Sequence, residues 1–244
     1  DTNRPRTRPV VMYALVLINA LVFLYELGLS QPQLNQFVAA MGVIPAHFST
    51  SKAIFSGSPP AVLDLFTSMF IHGGWMHILF NMWYLFIFGD NVEDRMGHGR
   101  FLLFYLLGGV VAGISHILLN WGSPVPSIGA SGAIAAVLGA YLVLFPRAKV
   151  LTVVFLFFLW VTELPAIIVL GFWFVGQLFS GLGSLGVVQN TGVAYWAHIG
   201  GFLFGVLTVS LFTPRHRMPG SYYDRRYGGQ GNWWPGGGWE RDDG

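Results

Sequence analysis

No cysteine occurs among the 244 residues, which excludes disulfide cross-links, thiol nucleophiles and thiolate-bound metals. Charge is scarce as well. Asp, Glu, Lys and Arg make up 10% of the chain, against about 25% in ordinary soluble domains, so a domain with a solvated, charged exterior is excluded. The net charge of +2 comes from arginines in short clusters, with no basic face and no nucleic-acid-binding motif, and nucleic acid is not an expected partner. Apolar residues fill the space instead. They account for 54% of the chain and gather into long runs, the pattern of an integral membrane protein.

A spanning helix needs about 20 mostly apolar residues. Six runs approach that length, at 10–29, 70–88, 101–121, 131–145, 166–182 and 195–212, the fourth being short. The first follows Arg4, Arg6 and Arg8 and is too long for a signal-peptide core, so it is read as a span. The apolar stretch 150–160, followed by Glu163 and Pro165, is read as an interfacial or re-entrant segment leading into the fifth span. The expected fold is therefore all-α, a six-span polytopic bundle over 10–212, with a cytoplasmic segment 1–9. The connection 30–68 is too long to be structureless and predicts short interfacial helices. The tail 213–244, rich in Gly, Arg and Trp, lacks core-forming residues and is expected to be disordered.

Positive charge orients the spans. Arg4, Arg6 and Arg8, then Arg95 and Arg100, Arg147 and Lys149, and Arg215 and Arg217 fall on one side. The opposite loops hold Lys52 alone. An even number of spans with both termini cytoplasmic follows, and spans two, four and six run inward from the outer face.

Polar residues inside spans need partners or a wet cavity. Four stand out: His77 and Asn81 in GGWMHILFNMW, Ser131 in IGASGAI, and His198 in YWAHIGGFLFG. His77 and Asn81 are four apart and share a helix face. On the assigned topology, three helices deliver these groups to a similar depth, within about two or three turns of their outer ends. The chemistry that suits them is acyl transfer. Histidine is the usual base for a serine nucleophile, and a helix N-terminus at Ser131 favours developing negative charge. His77 and Asn81 are candidate donors to an oxyanion. Asp90, Glu93 and Asp94 belong to the inner side, while Glu26 and Asp64 lie loosely near the outer side, so a dyad is expected rather than a triad. The plainer reading is interhelical hydrogen bonding. A metal site built from His72, His77 and His198 lacks the HExxH pattern or a carboxylate ligand. Neither a metal nor a cofactor is expected.

These motifs resemble the rhomboid family of intramembrane serine proteases. HGGWMHILFNM resembles its HxxxN element through His77 and Asn81, and GASG its nucleophile motif through Gly129, Ala130, Ser131 and Gly132. AHIGGFLFG resembles the AHxxGxxxG element through Ala197, His198, Gly201 and Gly205, and GDNVEDRMGHGRF is family-like through Glu93 and Gly97. The resemblance runs over residues 10 to 212. It implies a Ser131–His198 dyad, with an oxyanion hole of His77, Asn81 and the Ser131 backbone amide. It also implies an outward-opening wet cavity and cleavage of single-pass membrane proteins near the outer boundary, in a bacterial plasma membrane. His72 resembles a second family histidine with a supporting role. Gly201 and Gly205 would let span six approach span four. Three positions depart from the pattern. Leu63 and Asp64 stand where many members carry Trp-Arg, and Ala135 stands where some place an aromatic that stacks on the base. Tyr195 and Trp196 are then the candidates to hold His198, and His116 is expected to make a packing or water contact.

Two other functions compete. A catalytically silent rhomboid-like binder of membrane helices would typically lack one of Ser131 and His198. A channel would need polar groups continuing inward, where spans four and six are almost entirely apolar. Span five with the glycine-rich loop 183–192 is the candidate lateral gate.

Overall fold

The computed structural model describes residues 1, 5–49, 62–155, 159–184 and 193–214. Among the described residues, helix α1 (Val10–Leu27) leads into three short helices, α2 (Gln31–Met41), α3 (Pro45–Ser49) and α4 (Asp64–Thr67). The long outer connection thus contains the short helices expected of it. Helix α2 starts where Ser30 and Gln33 form a capping box, the Ser30 N–H donating to Gln33 Oε1 at 2.9 Å. A single 3-10 turn, Ser68–Phe70, then precedes α5 (Trp75–Met96) and α6 (His98–Leu119). They are followed by α7 (Ser131–Leu144), strands β1 (Lys149–Phe155) and β2 (Leu159–Pro165), and helices α8 (Ala166–Gly183) and α9 (Tyr195–Phe212). Each of the six apolar runs is a helix.

Four of them, α1, α6, α8 and α9, are long and apolar enough to cross a membrane. Helix α7 has 14 residues, about 21 Å at the α-helical rise, against a hydrocarbon core of about 30 Å. Helix α5 has the length, but its last turns carry Asp90, Asn91, Glu93, Asp94 and Arg95. The exterior is lined with large apolar side chains, among them Leu211 at 78% exposure, Phe172 at 77% and Leu207 at 74%. A water-facing surface does not carry such a belt. The protein is an integral membrane helical bundle.

Helix α7 is the core. Every residue from Gly132 to Tyr141 is buried, as expected of a helix apolar on all sides. Its small residues let neighbours close in, and it packs most extensively on α9, then on α6 and α5. The first helix is tied to the bundle by a carboxylate. Glu93, fully buried, accepts the Val11 N–H at 2.9 Å and the Met12 N–H at 2.7 Å. Those amides have no acceptor within their own helix, and a carboxylate is favoured at the positive end of the helix dipole. Asp94 accepts from the Arg6 and Thr7 amides and the Thr7 hydroxyl in the same way.

The stretch 150–160, read from sequence as an interfacial or re-entrant segment, belongs to an antiparallel hairpin. Lys149 pairs with Pro165 and Phe155 with Leu159. Its β-branched residues (Val150, Thr152, Val153, Val154, Val161, Thr162) suit a pleated strand, and Pro165 stops the ladder. The hairpin joins α7 to α8 without adding a span. The tail beyond 214, and most of the glycine-rich loop 183–192, lie outside the described residues.

Candidate active site

The site is built where α5, α7 and α9 begin. Ser131 is the first residue of α7, so its own N–H has no intrahelical acceptor. The chain enters through Gly129, whose φ of +119° is a conformation that side chains rarely adopt. A Cβ there would also lie 2.6 Å from His77 Nε2 and 3.8 Å from Ser131 Oγ. His77 and Ser131 therefore flank the same α-carbon, and glycine leaves the space between them open. The turn is pinned by the Gly129 N–H, which donates to the Ser68 carbonyl at 2.8 Å.

His198 stands on the first turn of α9. Its Nε2 lies 2.7 Å from Ser131 Oγ. Two glycines bring the helices to this distance. A Cβ on Gly201 would overlap the Gly132 carbonyl oxygen, and one on Gly205 would overlap that of Ala136. Backbone thus lies on backbone along the α7–α9 seam. Toward α6, Gly132 packs on a side chain: a Cβ there would come 2.6 Å from Ala112 Cβ.

The other nitrogen of the imidazole has a partner that the sequence reading did not name. His198 Nδ1 lies 2.7 Å from Gln177 Oε1 on α8. On the same face, one turn earlier, the Trp173 ring lies beside the imidazole with centroids 5.9 Å apart and planes tilted by 35°. The expectation that Tyr195 or Trp196 holds the base is corrected: Trp196 packs on Gly181, and the ring beside His198 is Trp173. Among the described residues the hydrogen-bond partners of the His198 imidazole are Ser131 and Gln177, and neither Glu26 nor Asp64 is one of them.

His77 and Asn81 arrive from α5. The Gly73 N–H donates to His77 Nδ1 at 3.3 Å, which places the ring proton on Nε2, the nitrogen beside Gly129. Asn81 is buried and its amide donates to the His77 carbonyl at 2.8 Å. His72, 2% exposed, lies edge-on to His77 with centroids 5.0 Å apart. Its backbone N–H donates to the buried Glu26 carboxylate at 3.2 Å. Glu26 thus fastens α1 to the segment that presents His77, another contact missing from the sequence reading. His116 bonds Asn120, the residue that caps the C-terminal end of its helix. Among the described residues, no three histidines or carboxylates gather as cation ligands.

A cavity of about 1090 Å³ opens over these groups, lined by His77, Asn81, Ser131, Trp173, Tyr195 and His198 among others. Chemically it offers a hydroxyl hydrogen-bonded to an imidazole, a free helix-terminal N–H and a neighbouring ring N–H. That is a layout suited to acyl transfer through a tetrahedral oxyanion.

Comparison with known proteins agrees with the fold. Residues 59–215 match the Rhomboid domain family. Rhomboid protein 1, mitochondrial, from Saccharomyces cerevisiae is 29% identical over 203 residues, covering 81% of this chain and 51% of that protein. Presenilin-associated rhomboid-like protein A, mitochondrial, from Danio rerio is 30% identical over 184 residues, 71% of this chain and 44% of its own. Rhomboid protease GluP from Bacillus subtilis is 45% identical over 78 residues, 32% of this chain and 15% of its own. The chain spans about half or less of the length of these relatives. A bundle cored by α7, with the GASG, HxxxN and AHxxGxxxG elements meeting at one end and a domain match over most of the chain, has one family assignment: this protein is a member of the rhomboid family.

Proposed function

We propose that the protein is an intramembrane serine endopeptidase that cleaves single-pass membrane proteins near the outer membrane boundary. The observation that supports this reading most is the 2.7 Å contact between His198 Nε2 and Ser131 Oγ beneath the cavity. In the proposed reaction the Ser131 oxygen attacks the scissile carbonyl carbon as His198 Nε2 takes the hydroxyl proton. Negative charge on the carbonyl oxygen is met by the Ser131 backbone N–H, His77 Nε2–H and the Asn81 amide. Collapse of the tetrahedral adduct breaks the C–N bond, and the imidazolium gives its proton to the leaving amine. Water, deprotonated by His198, then hydrolyses the acyl-enzyme and restores Ser131.

The bundle crosses the bilayer six times in this reading, with both termini on the arginine-rich, cytoplasmic side. Helix α8, the least buried of the four clear spanning helices, is where a substrate helix passes in from lipid. The bacterial plasma membrane is the finer expectation. The relatives matched include mitochondrial proteins as well as two from Bacillus subtilis.

A fluorophosphonate probe tests the chemistry without the natural substrate. Wild-type protein in micelles is expected to be labelled at Ser131, and Ser131→Ala and His198→Ala to lose labelling while unfolding at wild-type temperatures. A wild type that stays unlabelled, or is labelled in Ser131→Ala, overturns the assignment; failure to label combined with retained binding of a membrane helix would indicate a silent binder instead.

A further inference from the structure

Gln177 is a polar side chain within the largely apolar helix α8. It follows Trp173 by four residues, so the two side chains project from one face of the helix, and both end against His198. A neutral imidazole carries one ring proton, and the hydrogen bond made by one nitrogen decides which nitrogen holds it. Only the tautomer with the proton on Nδ1 leaves a lone pair on Nε2 to take the proton of Ser131. The amide oxygen of Gln177, 2.7 Å from Nδ1, is an acceptor for that proton.

We propose that Gln177 is the positioning residue of the catalytic base: its side-chain oxygen accepts the Nδ1–H of His198, fixes the tautomer and ring angle, and leaves Nε2 directed at Ser131, with Trp173 bracing the ring. This rests on the protease reading above and deepens it. Gln177 takes the place that a carboxylate fills in a serine triad and does so without burying a charge, which within a membrane is the less costly choice. The other imidazoles near His198 are His77 on α5 and His116 on α6. Neither is its hydrogen-bond partner, so among the described residues the Nδ1 side depends on α8. The orientation of the base is therefore set by a helix that carries neither the nucleophile nor the oxyanion donors.

The test separates accepting a hydrogen bond from filling space. Gln177→Met keeps the side-chain length and apolar packing but removes the acceptor. Gln177→Glu keeps the acceptor and adds a charge. The readout is the rate of fluorophosphonate labelling of Ser131 at neutral pH, alongside the unfolding temperature. Gln177→Met is expected to label roughly 10- to 100-fold more slowly than wild type, with its unfolding temperature unchanged. Gln177→Glu is expected to restore most of the rate even where the charge lowers its stability. A residue that serves only in packing gives the opposite order, Met active and Glu impaired, and that order overturns the proposal. Equal rates in all three proteins overturn it too. A wild type that does not label removes the protease reading itself, an outcome distinct from either.

Discussion

Adding one methyl group to Gly201 would test how the site is held together. Gly201 sits one turn after His198 on α9, and a Cβ there would overlap the Gly132 carbonyl oxygen and come within 3.1 Å of its carbon. These are backbone atoms of the core helix, next to the nucleophile, and no rotamer change relieves the clash. Overpacking of this kind costs about 1–3 kcal/mol, offset by up to about 1 kcal/mol of helix propensity gained in replacing glycine by alanine. With the full offset, the stability change in Gly201→Ala is a loss of about 0–2 kcal/mol. The effect on activity is expected to be larger. Relief comes from moving α9 away from α7, and His198, one turn away, moves with it. The 2.7 Å contact ceases to be a hydrogen bond beyond about 3.5 Å, so a shift of less than about 1 Å breaks it. Misplacement on that scale costs on the order of 100-fold in rate. The assay is probe labelling of Ser131 together with thermal unfolding in the same micelles. Gly171→Ala on α8 is the control, because nothing among the described residues lies within 4 Å of a Cβ at that position. It gains the same propensity and keeps wild-type labelling. If Gly201→Ala labels as fast as wild type, the claim that close backbone contact sets the Ser131–His198 distance is refuted.

Two further changes test the scaffold. Glu93→Ala strips the acceptor from two helix-terminal amides and is expected to cost about 3–5 kcal/mol by the usual value of hydrogen bonds to a charged group; in equilibrium unfolding, a loss below about 1 kcal/mol would refute the cap. Asp64, on α4, is buried, and burial holds its carboxyl above the ordinary carboxylate value, with His47 opposing. Its ionised form therefore weakens the fold once pH rises through the ordinary Asp range toward the raised value, and the deficit persists at neutral pH. Asp64→Asn is expected to unfold at a higher temperature than wild type at neutral pH and at the same temperature near about pH 3. An identical difference at both pH values would show that ionisation is not the cause.

What the sequence revealed was what depends on one helix at a time. Runs of apolar residues placed six helices, and counting along them brought His77, Asn81, Ser131 and His198 to one end, where they meet. Contacts between distant elements were less legible. Gln177 is visible in the sequence as a lone glutamine in an apolar span, but no local pattern joins it to a histidine 21 residues later. Glu26 and Glu93 were assigned to sides of the membrane, but no local pattern joins Glu26 to the backbone of His72 or Glu93 to amides some eighty residues earlier. The strand pairing at 149–165 was hidden for another reason. A short, continuous apolar run has the same hydrophobic pattern whether it becomes a buried strand or a helix segment.

The carboxylate of Glu93 also carries information about time. Helix α1 is synthesised before α5, so the last ligands of its opening turn are not made until α5 is nearly complete. Until then its Val11 and Met12 amides depend on water or headgroups. Helix α1 is thus capped at its opening turn only when the end of α5 reaches it. His98, whose Nδ1 lies 2.5 Å from Glu93 Oε1, is added five residues later and closes that junction. Maturation of this bundle is ordered around a point where chain made early and chain made later are joined by one side chain.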